Sequence, residues 1–198
     1  MRIEITGSIG SGKTSLAKLL LENGYNLVFE EFRNNPFWKA FYANPLKYNF
    51  ETEITFLLQH YHELKRKLEE NNDVVCDFSF TQDLGYAVMG LNDEQLKIFR
   101  SLYSYIINEL GEPTLIIYLK CSPKTLLHRI HSRGRSEESL IDVSFLSSLS
   151  NCIKQEIEIK LNDVISTSFL EIDTEVFNLV NSPSDQSEIL RKISGIYT

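Results

Sequence analysis

Five short runs of apolar and β-branched residues, at 2–6, 26–29, 73–76, 113–119 and 168–172, recur along the chain with helical patterns between them. Runs that are apolar on both faces suit strands buried on both sides. Their alternation with helices therefore predicts an α/β fold with a parallel sheet of about five strands. Ile54, Leu57, Leu58, Tyr61, Leu64 and Leu68 fall at helical spacing, as do Phe99, Leu102, Tyr103, Ile106, Ile107 and Leu110, so two amphipathic helices are expected. The second carries its own punctuation: Asn92 with Gln95 three residues on forms a capping-box pattern, and Gly111 followed by Pro113 ends it. Ser122-Pro123 opens a further helix with proline at the first helical position. Asp142 opens a longer one through Phe145, Leu146, Leu149, Ile153, Ile157 and Leu161, and a short terminal helix follows around Ile189, Leu190 and Ile193.

Composition narrows the classes. At 198 residues and 42% apolar, the chain can close one core without disulfides or metal, so a single domain over 1–198 is expected. A charged fraction of 24% with only five prolines argues against disorder. No apolar run approaches the roughly 20 residues that span a bilayer, and Met1-Arg2 leads straight into Ile3-Glu4-Ile5, so neither membrane insertion nor export is expected. A net charge of −7 disfavours a broad grip on a nucleic acid polymer. Cys76, Cys121 and Cys152 are odd in number and lack CxxC spacing, which reads as a reduced, cytoplasmic thiol set. His60 with His62, and His128 with His131, have no third ligand nearby in sequence, so no transition metal is expected.

After the first strand comes Gly7-Ser8-Ile9-Gly10-Ser11-Gly12-Lys13-Thr14, a full match to the phosphate-binding P-loop pattern. Its glycines let successive N–H groups turn inward toward an anion, and the following helix adds its partial positive N-terminus. In this pattern Lys13 lies against the β- and γ-phosphates and Thr14 binds magnesium, so a nucleoside triphosphate is the expected ligand. Further along, Arg129, Arg133 and Arg135 cluster on one short segment of an otherwise acidic chain. Arg129 and Arg133 are one helical turn apart, and Gly134 frees Arg135 past the helix end. Such a segment suits an arginine-rich lid, about 129–140, that neutralises charge on a transferring phosphoryl group.

With these residues in view, the sequence resembles the deoxynucleoside kinase family, P-loop enzymes that phosphorylate the 5′-hydroxyl of deoxyribonucleosides. The resemblance spans nearly the whole chain: the P-loop; Glu30 to Phe37; Phe41-Tyr42-Ala43-Asn44-Pro45 leading into Phe50-Glu51-Thr52-Glu53; Asp77-Phe78-Ser79 with Asp83; and Arg129 through Glu138. It implies ATP and Mg2+ as cofactors, a deoxynucleoside as substrate and a homodimer formed through a helix pair. It also implies roles: Glu30 as general base toward the 5′-hydroxyl, Tyr42 and Glu138 on the sugar 3′-hydroxyl, Asp77 helping hold magnesium through water, Asp83 at the base end of the pocket, and Arg129, Arg133 and Arg135 as lid arginines. Phe37 and Phe80 are pocket walls or core.

Three departures qualify it. Phe78 stands where the family commonly has arginine, Glu53 where glutamine often reads the base, and His60 where arginine often follows seven residues on. An ionised Glu53 only accepts hydrogen bonds, and guanine presents two neighbouring donors, so a purine deoxynucleoside with guanine first is favoured; a protonated Glu53 would read adenine or cytosine as glutamine does. His60 is a candidate pocket residue paired with Asp83. Two other readings stay open: a kinase for another small acceptor such as a nucleoside monophosphate, and a nucleotide-binding regulatory subunit whose catalysis is impaired at Phe78.

Overall fold

The computed structural model describes residues 1–70 and 73–196. Its sheet has the strands β1 (Arg2–Thr6), β2 (Leu27–Val28), β3 (Val74–Cys76), β4 (Leu115–Lys120) and β5 (Ser168–Asp173), all parallel, in the order β2-β3-β1-β4-β5. The expected parallel sheet is therefore present, but β5, an edge strand, is not buried on both faces as expected: Ser168, Phe169 and Glu171 are exposed. The second strand is shorter than its apolar run: Phe29 and Glu30 leave the ladder and turn toward a cleft. The helices are α1 (Lys13–Glu22), α2 (Trp38–Ala43), α3 (Pro45–Glu70), α4 (Phe80–Gly90), α5 (Asp93–Leu110), α6 (Pro123–Arg133), α7 (Val143–Asp163) and α8 (Pro183–Ser194). Among the described residues no helix is long and apolar enough to cross a membrane.

Side chains alternate across the sheet, and the two largest buried clusters lie on its two faces. On one face Ile3, Ile5, Leu115, Ile117 and Leu119 pack with Leu16 and Leu20 of α1 and with Ile189 and Ile193 of α8. On the other, Val74, Cys76, Phe78 and Phe80 pack with Leu57 and Leu64 of α3 and Phe99 and Ile106 of α5. Glu4, in the middle of β1, is only 1% exposed. Its carboxylate meets Arg2 Nε at 3.1 Å and accepts from the Phe80 N–H at 3.2 Å, pinning the start of α4 to the central strand.

The caps legible in the sequence form as expected. Asn92 and Gln95 bond reciprocally in a capping box, Ser122 accepts from the Thr125 N–H, and Asp142 accepts from the Phe145 N–H. Helix α4 lacked a periodic signal because seven of its residues, from Phe80 to Gly85 and Ala87, are buried around the whole helix. A helix without a polar face shows no amphipathic period. Gly85 is there for proximity: a Cβ would lie 2.7 Å from Ile153 Cγ1 and 2.9 Å from its Cα on α7. Gly85→Ala should therefore push the two helices apart and cost about 1–3 kcal/mol, read as a lower urea midpoint at unchanged m-value; an unchanged midpoint would contradict this packing.

Candidate active site

The strand order reverses around β1, and beyond the C-terminal ends of the strands opens a cleft of about 1210 Å³. Its floor is the loop between β1 and α1. Gly7 has φ +149°, and a Cβ there would sit 2.9 Å from the Leu119 carbonyl oxygen; Gly12, at φ +104°, turns the chain into α1. Both positions need glycine, for close approach and for a left-handed backbone respectively. Ile9, Gly10, Ser11, Gly12, Lys13 and Thr14 line the cleft, whereas Gly7 and the buried Ser8 lie beneath it. Lys13 Nζ donates to the carbonyls of Gly7 (2.8 Å) and Ser8 (3.3 Å). Burial lowers the Lys13 ammonium, with Glu30 and Asp77 pulling against that shift.

Asp77, at the end of β3, joins this floor to the substrate side. Its Oδ2 accepts from Thr14 Oγ1 at 3.1 Å and its Oδ1 from the Glu30 backbone N–H at 2.5 Å. The carboxylate that the sequence nominates as base is thereby anchored beside the two oxygens nominated for magnesium.

Behind Glu30 lies a buried set of charges. His60 Nδ1 is 2.8 Å from Asp83 Oδ2, its Nε2 faces Glu30 Oε1 across 3.5 Å, and its ring stacks on Phe78 with centroids 3.9 Å apart and planes 6° from parallel. Burial alone would lower the imidazole, but the charge and hydrogen bond of Asp83, with Glu30 adding, push it up to about 10, so the ring is a cation at neutral pH. Burial likewise raises Glu30, yet the hydrogen bond and charge of His60, helped by Lys13 and Arg135, hold it below the usual carboxylate range. His60, expected as a pocket residue, does not line the cleft and is 3% exposed, so the structure places it behind the wall and not among the lining residues. Phe78 is fully buried, and its ring is the flat surface against which this imidazole lies.

The far wall is built by α2, α3 and α4. Glu53 and Asp83 line it, both buried, together with Tyr42. Burial, then Asp83, raises Glu53 well above an ordinary carboxyl, only partly countered by His60. Burial and Glu138 push the Tyr42 phenol up, so it remains a neutral donor. Neither expected wall phenylalanine lines the cleft: Phe80 is core and Phe37 caps α2, while Phe29, Phe32, Trp38, Phe41 and Phe56 do line it. Sequence reasoning also missed Gln82 and Tyr86. They sit on α4, the helix without a period, and adjacency to Asp83 was the one signal pointing to Gln82.

The three arginines reach the cleft with different partners. Arg129 donates to Thr174 Oγ1 (2.9 Å) and O (2.7 Å) and lies near the carbonyls of Gly10 and Ser11. Arg133 grips Glu138 with Nε at 2.8 Å and Nη2 at 2.6 Å, and Arg135 touches the same carboxylate at 3.3 Å while its guanidinium covers the Phe32 ring at 4.4 Å. Glu138 is 2% exposed, so one buried carboxylate gathers two arginines over the cleft. The segment 174–181 completes the rim and is tied to α6 by Glu175, which accepts from Ser122 Oγ at 2.8 Å and from Thr125.

Comparison with known proteins gives this cleft its context. The sequence model described as deoxynucleoside kinase matches residues 3–197. A deoxyguanosine kinase of Bacillus subtilis (strain 168) is 31% identical over 199 residues, covering 98% of this chain and 96% of that protein, and a deoxyadenosine/deoxycytidine kinase of the same organism is 25% identical over 98% and 92%. A solved deoxyadenosine kinase from M. mycoides with bound dCTP has the same fold, with a TM-score of 0.80 at 23% identity over 98% of this chain and 100% of that one. A family match over almost every residue, with a relative 31% identical over nearly the full length of both chains, makes this chain a member of the deoxynucleoside kinase family, an enzyme that phosphorylates deoxynucleosides.

Proposed function

We propose that the enzyme transfers the γ-phosphoryl group of ATP, taken as its magnesium complex, to the 5′-hydroxyl of a purine deoxynucleoside, with guanine preferred over adenine. The observation that carries the purine reading is a buried carboxyl, Glu53, on the acceptor wall of a cleft whose opposite floor is the P-loop; burial favours its neutral form, which suits adenine, so the preference for guanine rests on the relative named deoxyguanosine kinase. A pocket walled by Glu30, Glu53 and Asp83 suits a neutral nucleoside better than a nucleoside monophosphate, whose dianion would meet these carboxyls. The relative named deoxyguanosine kinase supports the same purine reading.

Gly7 to Thr14 would cradle the donor phosphates, with Lys13 swinging from its loop carbonyls to them. Thr14 and Asp77 would hold magnesium, since a hydroxyl and one carboxylate suit an ion that keeps most of its water and takes other ligands from phosphates. When bound, the ion neutralises charge on the phosphate oxygens. Glu30 accepts the 5′-hydroxyl proton as the oxygen attacks, and His60 keeps that carboxylate ionised beforehand. Tyr42 and Glu138 take the sugar 3′-hydroxyl; engaging it would require Glu138 to share its hold on Arg133 and Arg135, which turns those two arginines toward the phosphoryl group as the 129–140 segment closes.

The whole of 1–198 acts as one domain in this reading, for the cleft is lined from Ile9 to Asn181. Exposed Leu58 on α3 and Ile98 and Tyr105 on α5 support a homodimer through these helices, and the free cysteines support a cytoplasmic setting. Labelled phosphate transfer from ATP to each common deoxynucleoside tests the assignment. Labelled monophosphate from deoxyguanosine and deoxyadenosine is the expected result; transfer to thymidine in preference to both purines would overturn the purine reading.

A further inference from the structure

The acceptor wall holds more carboxyls than cations. Glu30 and Asp83 each face one nitrogen of His60, at 3.5 and 2.8 Å. Glu53, which precedes His60 on α3, is 4% exposed, lines the cleft, and makes no side-chain hydrogen bond or ion pair among the described residues. The groups that face it are Asp83 and Tyr86 from α4, His60 from its own helix and Glu30 from the segment after β2, with Tyr42 of α2 and Arg133 and Glu138 of the arginine segment across the cleft. The one imidazolium nearby is already shared by two other carboxylates. The Gln82 side chain, which lines the same cleft, is equally buried, and its Oε1 has no partner.

We infer that the proton on Glu53 selects the base: the carboxylate accepts from the two neighbouring donors of guanine, N1–H and the 2-amino group, and the carboxylic acid donates to N1 of adenine while accepting from its 6-amino group. This rests on the purine-kinase reading and deepens it. The proton balance differs between the two substrates. An empty site with Glu53 neutral must release that proton to solvent when deoxyguanosine binds, whereas deoxyadenosine binds with the proton in place. Burial, then the charge of Asp83, raises the carboxyl and so favours the neutral form in the empty site. The amide of Gln82, which carries both donor and acceptor, serves either base and does not discriminate.

The test is the ratio of kcat/KM for deoxyguanosine to that for deoxyadenosine, measured on the full chain with ATP and magnesium between about pH 6 and about pH 8.5. Titrations common to both reactions, that of the general base included, cancel in the ratio. If each base takes one form of Glu53, the ratio rises about tenfold per pH unit. Glu53→Gln, isosteric and unable to ionise, should give a ratio independent of pH and shifted toward deoxyadenosine. Calorimetry of deoxyguanosine binding in two buffers of different ionisation heat should show proton release that the variant lacks. A ratio flat in the unmodified enzyme, or a slope surviving in Glu53→Gln, overturns the inference while leaving the purine assignment intact. Turnover of neither purine overturns both.

Discussion

Glu30→Gln should lower kcat for phosphoryl transfer about 1000-fold, within the range that positioned proton transfer contributes, while the affinity for ATP stays within about twofold. Glutamine matches the shape of glutamate and keeps the backbone N–H that donates to Asp77 Oδ1, so the P-loop side of the cleft is left as it was. What disappears is the one function the amide cannot perform, taking a proton. His60, helped by Lys13 and Arg135, holds this carboxylate below the usual carboxylate range against burial, in the ionised form a base would need. The measurements are steady-state transfer and ATP titration on the same preparation; a variant retaining a tenth or more of kcat would remove Glu30 from the base role.

His60→Leu should have the largest effect on stability. It takes the cation away from Asp83 and Glu30 and leaves two carboxylates in a buried wall, and breaking a buried pair in this way costs about 3–5 kcal/mol. For a chain of this size that is a fall in Tm of about 10 °C. The pH dependence carries the sign of the effect. The folded imidazole sits at about 10 against 6.5 for the free side chain, so its contribution is complete below about pH 6.5 and is lost as pH rises through 10. Unmodified protein should therefore lose stability between those values, and His60→Leu should lose the part of that slope which His60 supplies. His60→Arg, with Phe78 retained as the stacking surface, should restore activity more than stability. Equal alkaline slopes in the parent and His60→Leu would show that the imidazole is not the titrating cation.

The same pair accounts for the charge that the chain lacks when its residues are taken one at a time. Read singly, Phe78 and His60 are departures from the arginines that the resemblance implies at these positions. In three dimensions the two residues are in contact, and the aromatic plate holds the imidazole between two carboxylates that keep it protonated. No spacing rule along the chain reveals this, since the partners come from the end of β3, from α3 and α4, and from the segment after β2. Gln82 and Tyr86 were hidden for a related reason: α4 is buried on every side and gives no hydrophobic period that would mark a helix or its inward face.

Patterns that depend only on neighbours in sequence were readable directly. The buried strands β1, β3 and β4, the capping box at Asn92, the proline and glycine boundaries and the P-loop each follow from local patterning and hydrogen-bond chemistry, because the residues that satisfy one another lie within a few positions; the exposure of β5 comes from its place at the sheet edge. Tertiary structure alone decided the upward shift of His60, the neutral pull on Glu53 and the different partners of Arg129, Arg133 and Arg135. Those are set by burial and by charges brought together from distant segments, and a pKa depends on distance and dielectric, which the order of residues does not contain.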